Sequence, residues 1–259
     1  MKTIYSGPKA LTEYILIQSK NKADKRFIIL LVQGILAGLY ISLGAIGYFK
    51  VAASISDPGL GSFLGAVVFP FGIIAILLMQ AELFTSDSMV MVVVYDGRTK
   101  FSKILKILLL ILIANLIGAI FAALLSHGAG IYNEHTFDMI AHKAIIKVTM
   151  PYMQMFISGI LCNILVSTGV CLSYSSKDEL AKVVVVWLAI TVFVISGTEH
   201  VVANMYYLFV AYFGGTDISL ASIFISLGVV ALGNFIGGGV VVSGVNYLLA
   251  YKDINKNEL

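Results

Sequence analysis

The sequence predicts an all-α membrane protein of six transmembrane helices arranged as a 3+3 inverted repeat, with the second and fifth helices interrupted. Three observations predict it. Of the 259 residues, 59% are hydrophobic and only 12% charged, with a mean hydropathy of +0.96. A soluble domain carries about 25% charged residues and about 45–50% apolar ones, so lipid is the solvent that this composition fits. Apolar stretches of spanning length recur along the chain, separated by short charged segments. Short matches also recur in the same order in the two halves.

Residues 1–26 carry Lys2, Lys9, Lys20, Lys22, Lys25 and Arg26 around Tyr14-Ile15-Leu16-Ile17. That pattern predicts a short amphipathic helix on the cytoplasmic membrane surface rather than a secretory leader. The membrane domain follows over 27–251, and its spans read as about 27–49, 59–95, 104–127, 147–173, 181–213 and 218–250. All reach the roughly 18 residues that crossing requires. The second is interrupted at Glu82, with Asp87 nearby, and the fifth at Glu199-His200. Residues 252–259 are read as a cytoplasmic tail. With six spans and the N-terminus inside, 14 of the 17 Lys and Arg residues face the cytoplasm, against Lys50, Lys143 and Lys147 outside. This asymmetry predicts cytoplasmic termini and an even number of spans.

The repeat rests on three ordered matches. Gly34-Ile35-Leu36-Ala37-Gly38 resembles Gly159-Ile160-Leu161-Cys162-Asn163 at an offset of 125, Glu82 corresponds to Glu199 at 117, and Ala114-Asn115-Leu116-Ile117-Gly118 resembles Gly233-Asn234-Phe235-Ile236-Gly237 at 119. Three spans per half is an odd number, so the halves insert in opposite orientations. A helix break frees backbone groups that hydrocarbon cannot satisfy, so two breaks in corresponding spans are expected to line a passage. Gly34 with Gly38, Gly61 with Gly65, and Gly233 with Gly237 supply the four-residue spacing that lets helices pack closely.

Ionisable groups inside spans are costly unless paired or hydrated, which singles out Glu82, Glu199 and His200. His127, His135 and His142 fall at or beyond the end of the third span, at spacings that suit no common metal site. Cys162 and Cys171 read as inert packing thiols. No cofactor, metal or nucleic-acid partner is expected. The chain has no G-x-x-x-x-G-K-[ST], H-E-x-x-H or G-x-S-x-G segment, so neither ATP hydrolysis nor an intramembrane hydrolase is indicated, although Thr85 or Ser86 could be named as nucleophiles.

The segment Thr198-Glu199-His200-Val201-Val202-Ala203-Asn204-Met205-Tyr206 resembles the E-H-x-x-A-N-M segment of the formate/nitrite transporter family. Ala81-Glu82-Leu83-Phe84-Thr85-Ser86 resembles that family's acidic-L-F-T-S loop, and Gly233-Asn234-Phe235-Ile236-Gly237-Gly238-Gly239 its G-N-x-x-G-G run. Within the family, the overall sequence most resembles the clostridial members that conduct hydrosulfide. The resemblance implies a pentameric channel of the bacterial cytoplasmic membrane, with one passage per subunit and small anions or their conjugate acids as solutes. It implies that His200 faces the solute, that Asn204 donates a hydrogen bond beside it, and that Thr85 faces His200 across the passage. Phe69, Ile73, Leu83, Phe84, Val166 and Phe193 match apolar constrictions, and Lys147 matches a basic residue at the outer start of the fourth span. Gln80 departs from a usual glycine, and Ser167-Thr168-Gly169 from a more usual C-x-A stretch.

A bare monovalent anion faces a desolvation cost of several kcal/mol in an apolar constriction, most of which neutralisation removes. A histidine can lend a proton near neutral pH or hold the anion as imidazolium. Glu199 is expected to satisfy backbone N–H groups at the break, and Lys147 to concentrate anions at the outer mouth, an effect that salt weakens. These features point to a channel for weak-acid anions, with hydrosulfide favoured over formate or nitrite. A neutral-solute pore of aquaporin-like architecture, also six spans in inverted halves, is the alternative. It predicts N-P-A boxes at the breaks, and the chain has none.

Overall fold

Long apolar runs in lipid satisfy their backbone groups internally only as helices or closed barrels, and helices are what these runs form. The computed structural model describes residues 7–256, which contain helices and no strand. Lys2 and the last three residues of the predicted tail lie outside the described residues.

Helix α1 (Gly7–Ala23) precedes α2 (Phe27–Ala53). Asp57 caps α3 (Pro58–Val68), its Oδ1 accepting from Leu60 N at 2.7 Å, and Pro70 separates α3 from α4 (Phe71–Leu78). After five non-helical residues come α5 (Phe84–Asp87), a 3-10 turn (Ser88–Met91) and α6 (Val92–Tyr95), then α7 (Phe101–Gly128). The second half repeats the plan. Helix α8 (Glu134–Thr149) precedes α9 (Tyr152–Tyr174). Helices α10 (Glu179–Ile195) and α11 (Val201–Phe213) flank a second non-helical stretch, and α12 (Leu220–Phe235) continues through a π-helical turn (Ile236–Val242) into α13 (Ser243–Lys256).

Five stretches are long and apolar enough to cross a membrane: Phe27–Ala53, Pro58–Leu78, Phe101–Gly128, Tyr152–Tyr174 and Leu220–Ala250. Taken singly, α10 with 17 residues and α11 with 13 fall short of that length. One boundary differs from the sequence reading, which began the fourth span at 147. Residues 134–149 form a separate helix, capped by Asn133 Oδ1 on Thr136 N at 2.9 Å, and Pro151 divides it from α9. Lys147 therefore belongs to α8, not to the start of a span.

The closest packing in each half joins corresponding helices, α2 with α7 and α9 with α12. Small residues permit it. A methyl group on Gly38 would strike the Asn115 backbone, on Gly118 the Ile35 carbonyl, on Gly233 the Phe156 carbonyl and on Gly237 the Ile160 carbonyl. Helix α1 packs against α13 and α6, with Ile15 and Leu16 inside the common apolar core.

Candidate functional site

Each non-helical stretch is built the same way, 117 residues apart. Gln80 and Gly197 both take positive φ, 53° and 68°, to turn the chain out of its helix. Leu83 and His200 then run extended, with φ of −114° and −106°, and a new helix starts at Phe84 and at Val201. A left-handed backbone costs a residue with a Cβ about 1–2 kcal/mol, so the first half carries strain that glycine spares the second.

Two buried asparagines close these breaks. Asn115 Nδ2 donates to Gly34 O (2.8 Å) and Glu82 O (2.9 Å), while its Oδ1 accepts from Phe84 N (2.9 Å). Asn234 Nδ2 donates to Gly159 O (2.8 Å) and Glu199 O (2.9 Å), while its Oδ1 accepts from Val201 N (2.9 Å). Each side chain thus satisfies backbone groups on both sides of a break that lipid would leave stranded. The three ordered sequence matches are the parts of this clasp. Asn163 ties the halves together, its Nδ2 donating to Thr85 O (3.0 Å), Ser88 Oγ (3.1 Å) and Asn234 O (2.6 Å).

The glutamates repeat as well. Glu199 N donates to Ser158 Oγ (3.1 Å) and Glu82 N to Gln33 O (3.3 Å), and Ser158 and Gln33 are themselves 125 residues apart. Both carboxylates bind lysines. Lys147 Nζ lies 2.8 Å from each Glu199 oxygen. Lys22, again 125 residues earlier, pairs with Glu82 and Asp87, while Lys25 Nζ reaches Glu82 Oε1 at 2.6 Å and Gln33 Oε1 at 3.1 Å. Where the first half places Asp87, the second places Asn204, whose Nδ2 donates to Glu199 Oε2 at 2.6 Å. The extra acid comes with an extra base, so both clusters balance in charge.

His200 ends the second break and turns its side chain toward Thr85 beyond the first, 3% exposed. Its Nδ1 caps α11 by accepting from Ala203 N at 3.2 Å, which assigns the neutral ring's proton to Nε2. Nε2–H then donates to Thr85 Oγ1 at 3.0 Å. Phe193 packs 5.5 Å from the imidazole and 6.1 Å from Phe69, centroid to centroid. Phe69, Ile73, Leu83, Phe84, Val166 and Phe193 are all buried in the same apolar core. A cavity of about 70 Å³ on the α8 side is lined by His200, Asn204, Lys147, Lys143, Tyr48 and Phe193. On the α1 side opens a larger one of about 730 Å³, reaching Lys22, Gln80, Glu82, Asp87 and Tyr174.

The structure therefore brings His200, Thr85, Asn204, Glu199 and Lys147 together, with three differences in geometry. Lys147 is held by a carboxylate. Glu199 binds Lys147 and Asn204, and the backbone groups of the break fall to Asn234. The Asn204 amide faces Glu199 with its nitrogen, leaving Oδ1 buried without a partner among the described residues. Among those residues no cluster of three His, Cys, Asp or Glu could hold a metal, and both cysteines are free and buried. His127, His135 and His142 are exposed. Sequence reasoning did not assign Asn115, Asn234, Asn163 or Lys22 to the site. The repeat offsets were the signal for three of them, since each has its counterpart at the same spacing as its neighbours.

The formate/nitrite transporter family model matches residues 9–248. The uncharacterized transporter YrhG of Bacillus subtilis is 35% identical over 241 residues, 89% of this chain and 88% of that protein. Among solved structures, an FNT family ion channel superimposes with a TM-score of 0.86 at 27% identity, over 93% of this chain and 98% of the other. A pentameric formate channel with formate bound superimposes at 0.75 with 26% identity, over 87% and 98%.

Proposed function

The chain belongs to the formate/nitrite transporter family, and we propose that it is a channel for small monovalent weak-acid anions, hydrosulfide foremost, with formate and nitrite as the other candidates. The α1 side is assigned to the cytoplasm, on the distribution of Lys and Arg. Helices α3 to α6 act as a broken second span and α10 with α11 as a broken fifth, giving six. The resemblance to a pentameric formate channel supports five copies, one passage in each, in a bacterial inner membrane.

The observation that carries this reading is the pairing of one donor with one unpartnered acceptor beside the breaks. His200 offers Nε2–H, which a solute would take over from Thr85 Oγ1, and Asn204 offers Oδ1, because Glu199 takes its amide nitrogen. A weak acid in its protonated form can use both. An anion must shed water to pass the wall of Phe69, Ile73, Leu83, Phe84, Val166 and Phe193, and crossing as the conjugate acid removes most of that penalty. With Nδ1 held as an acceptor, His200 acts first as a hydrogen-bond donor. Lending a proton requires a doubly protonated ring, whose second N–H displaces the Ala203 cap. Hydrosulfide is favoured on overall resemblance, and its protonated form, small and weakly hydrated, fits the apolar wall best.

The test is flux through the purified protein in liposomes with hydrosulfide, formate, nitrite and chloride at several pH values. Flux of the three weak-acid anions should rise as pH falls, with chloride excluded and hydrosulfide fastest. Replacing His200 with Leu should remove the pH dependence. Equal passage of chloride, or an unchanged pH profile in the Leu variant, overturns the reading.

A further inference from the structure

Lys143 and Lys147 stand one turn apart on α8 and line the same small cavity as His200 and Asn204. Each ammonium lies over a tyrosine ring, Lys143 at 5.3 Å from the centroid of Tyr48 and Lys147 at 5.6 Å from that of Tyr207. They differ in what neutralises them. Lys147 is bound by both oxygens of Glu199, so at a distance the pair presents a dipole rather than a charge. Lys143 has no carboxylate partner among the described residues. Glu134 and Asp138 on its own helix are exposed and form no ion pair with it. It is therefore the one uncompensated cation in the wall of that cavity among the described residues.

We propose that Lys143, seated on Tyr48, is a capture site for a monovalent anion at the mouth of the cavity, upstream of His200. The proposal rests on the channel reading given above. A tyrosine face stabilises an ammonium without quenching its charge, and a lysine has three N–H donors, so donors remain for an anion while the ring fixes the position. Low-dielectric walls focus the field of an unpaired charge into a cleft, raising the local concentration of counter-ions. The repeat sharpens the assignment. The residue 125 positions earlier is Gln18, which lines the large cavity on the α1 side and carries no charge. The α1-side cavity has its own lysines, Lys22, Lys25, Lys177 and Lys182, beside Glu82, Asp87 and Glu179, so the Lys143 position is a feature of the α8 mouth that the repeat does not duplicate.

The test uses formate as the probe, with initial flux measured against concentration in liposomes at low and at high ionic strength. Replacing Lys143 with Gln should raise the apparent KM about three- to tenfold at low ionic strength and leave the maximal rate nearly unchanged. The difference should fade at high salt, and Lys143→Arg should behave as the parent. An unchanged KM for the Gln variant at low salt overturns the proposal, as does an equal loss of maximal rate at both salt levels, which would mark a structural role. A parent protein that passes no formate, hydrosulfide or nitrite overturns the channel reading and the capture site with it. Normal parent flux with an unaffected Gln variant overturns the capture site alone.

Discussion

At Gln80 a residue with a full side chain occupies a left-handed backbone that its counterpart Gly197 occupies freely. Gln80→Gly should therefore raise the melting temperature, the relief of about 1 kcal/mol outweighing the entropy that glycine adds to the unfolded chain. Gln80→Val, branched at Cβ, should lower it, and a scan of both variants in detergent decides. The asparagine clasps set a larger effect. Asn115→Ala and Asn234→Ala each strand two backbone groups in a dry interior, the carbonyl of the glutamate and the N–H that opens the next helix, at about 1–3 kcal/mol for each group left unsatisfied. Either variant should unfold many degrees earlier, and by similar amounts, since the two side chains make equivalent bonds. A loss confined to one of them would show that the clasps are not equivalent. Both asparagines were visible in the sequence as members of a repeat. Their role was not, because a match shows that positions correspond and says nothing of which bonds they make. Lys147 illustrates the same limit. Its partner Glu199 lies 52 residues away, across two helices, where no spacing rule reaches.

At the scale of elements, α1 and α8 are counterparts, each delivering a lysine to the glutamate of its own half. The sequence announced α1 as an amphipathic segment on the membrane surface. The structure packs it against α13 and inserts Lys22 and Lys25 toward the first break. Helix α8 escapes the sequence reading because Glu134, Asp138 and Lys143 interrupt an apolar run, while Lys147 reads as the start of the fourth span. Its local signals, the Asn133 cap and the Pro151 stop, were present. Removing the Lys22 charge leaves Glu82 and Asp87 facing each other in a buried site with only Lys25 beside them. Lys22→Met should expose α1 to limited proteolysis, and adding Asp87→Asn, which copies Asn204, should restore part of the protection. No rescue in the double variant would argue against charge balance as the cause. Burial alone would lower the pKa of Lys22, but Asp87 and Glu82 more than offset it and hold it above the usual lysine range. A raised value means that the stabilisation is complete below about pH 10.5, the ordinary lysine value, and fades only above it. Raising the pH from about 7 to about 9 should leave the proteolysis of α1 unchanged, and release in that interval would show that another group controls docking.

For the whole molecule, composition alone made lipid the solvent, and the helices long enough to cross it lie where the apolar runs lie. The direction proposed from the charge asymmetry is testable: cysteine labelling of sites near Lys103 and Asp138 in intact cells should find the first protected and the second accessible. Large apolar side chains such as Phe27, Phe63, Phe121, Leu188 and Leu232 are exposed in the single chain, as lipid or neighbouring copies require. Crosslinking in mild detergent should end at five copies, and a ladder stopping at one or two would contradict the assembly. Five-fold assembly is proposed on resemblance alone, because a face that meets lipid and a face that meets another subunit are equally apolar.

The clasp has a further consequence. Lys22, Gly34, Glu82, Phe84 and Asn115 belong wholly to the first half, and Lys147, Gly159, Glu199, Val201 and Asn234 wholly to the second. Neither half borrows a partner to complete its own break. A chain of half this length, inserted in either orientation and pairing with an inverted twin, would already hold both breaks.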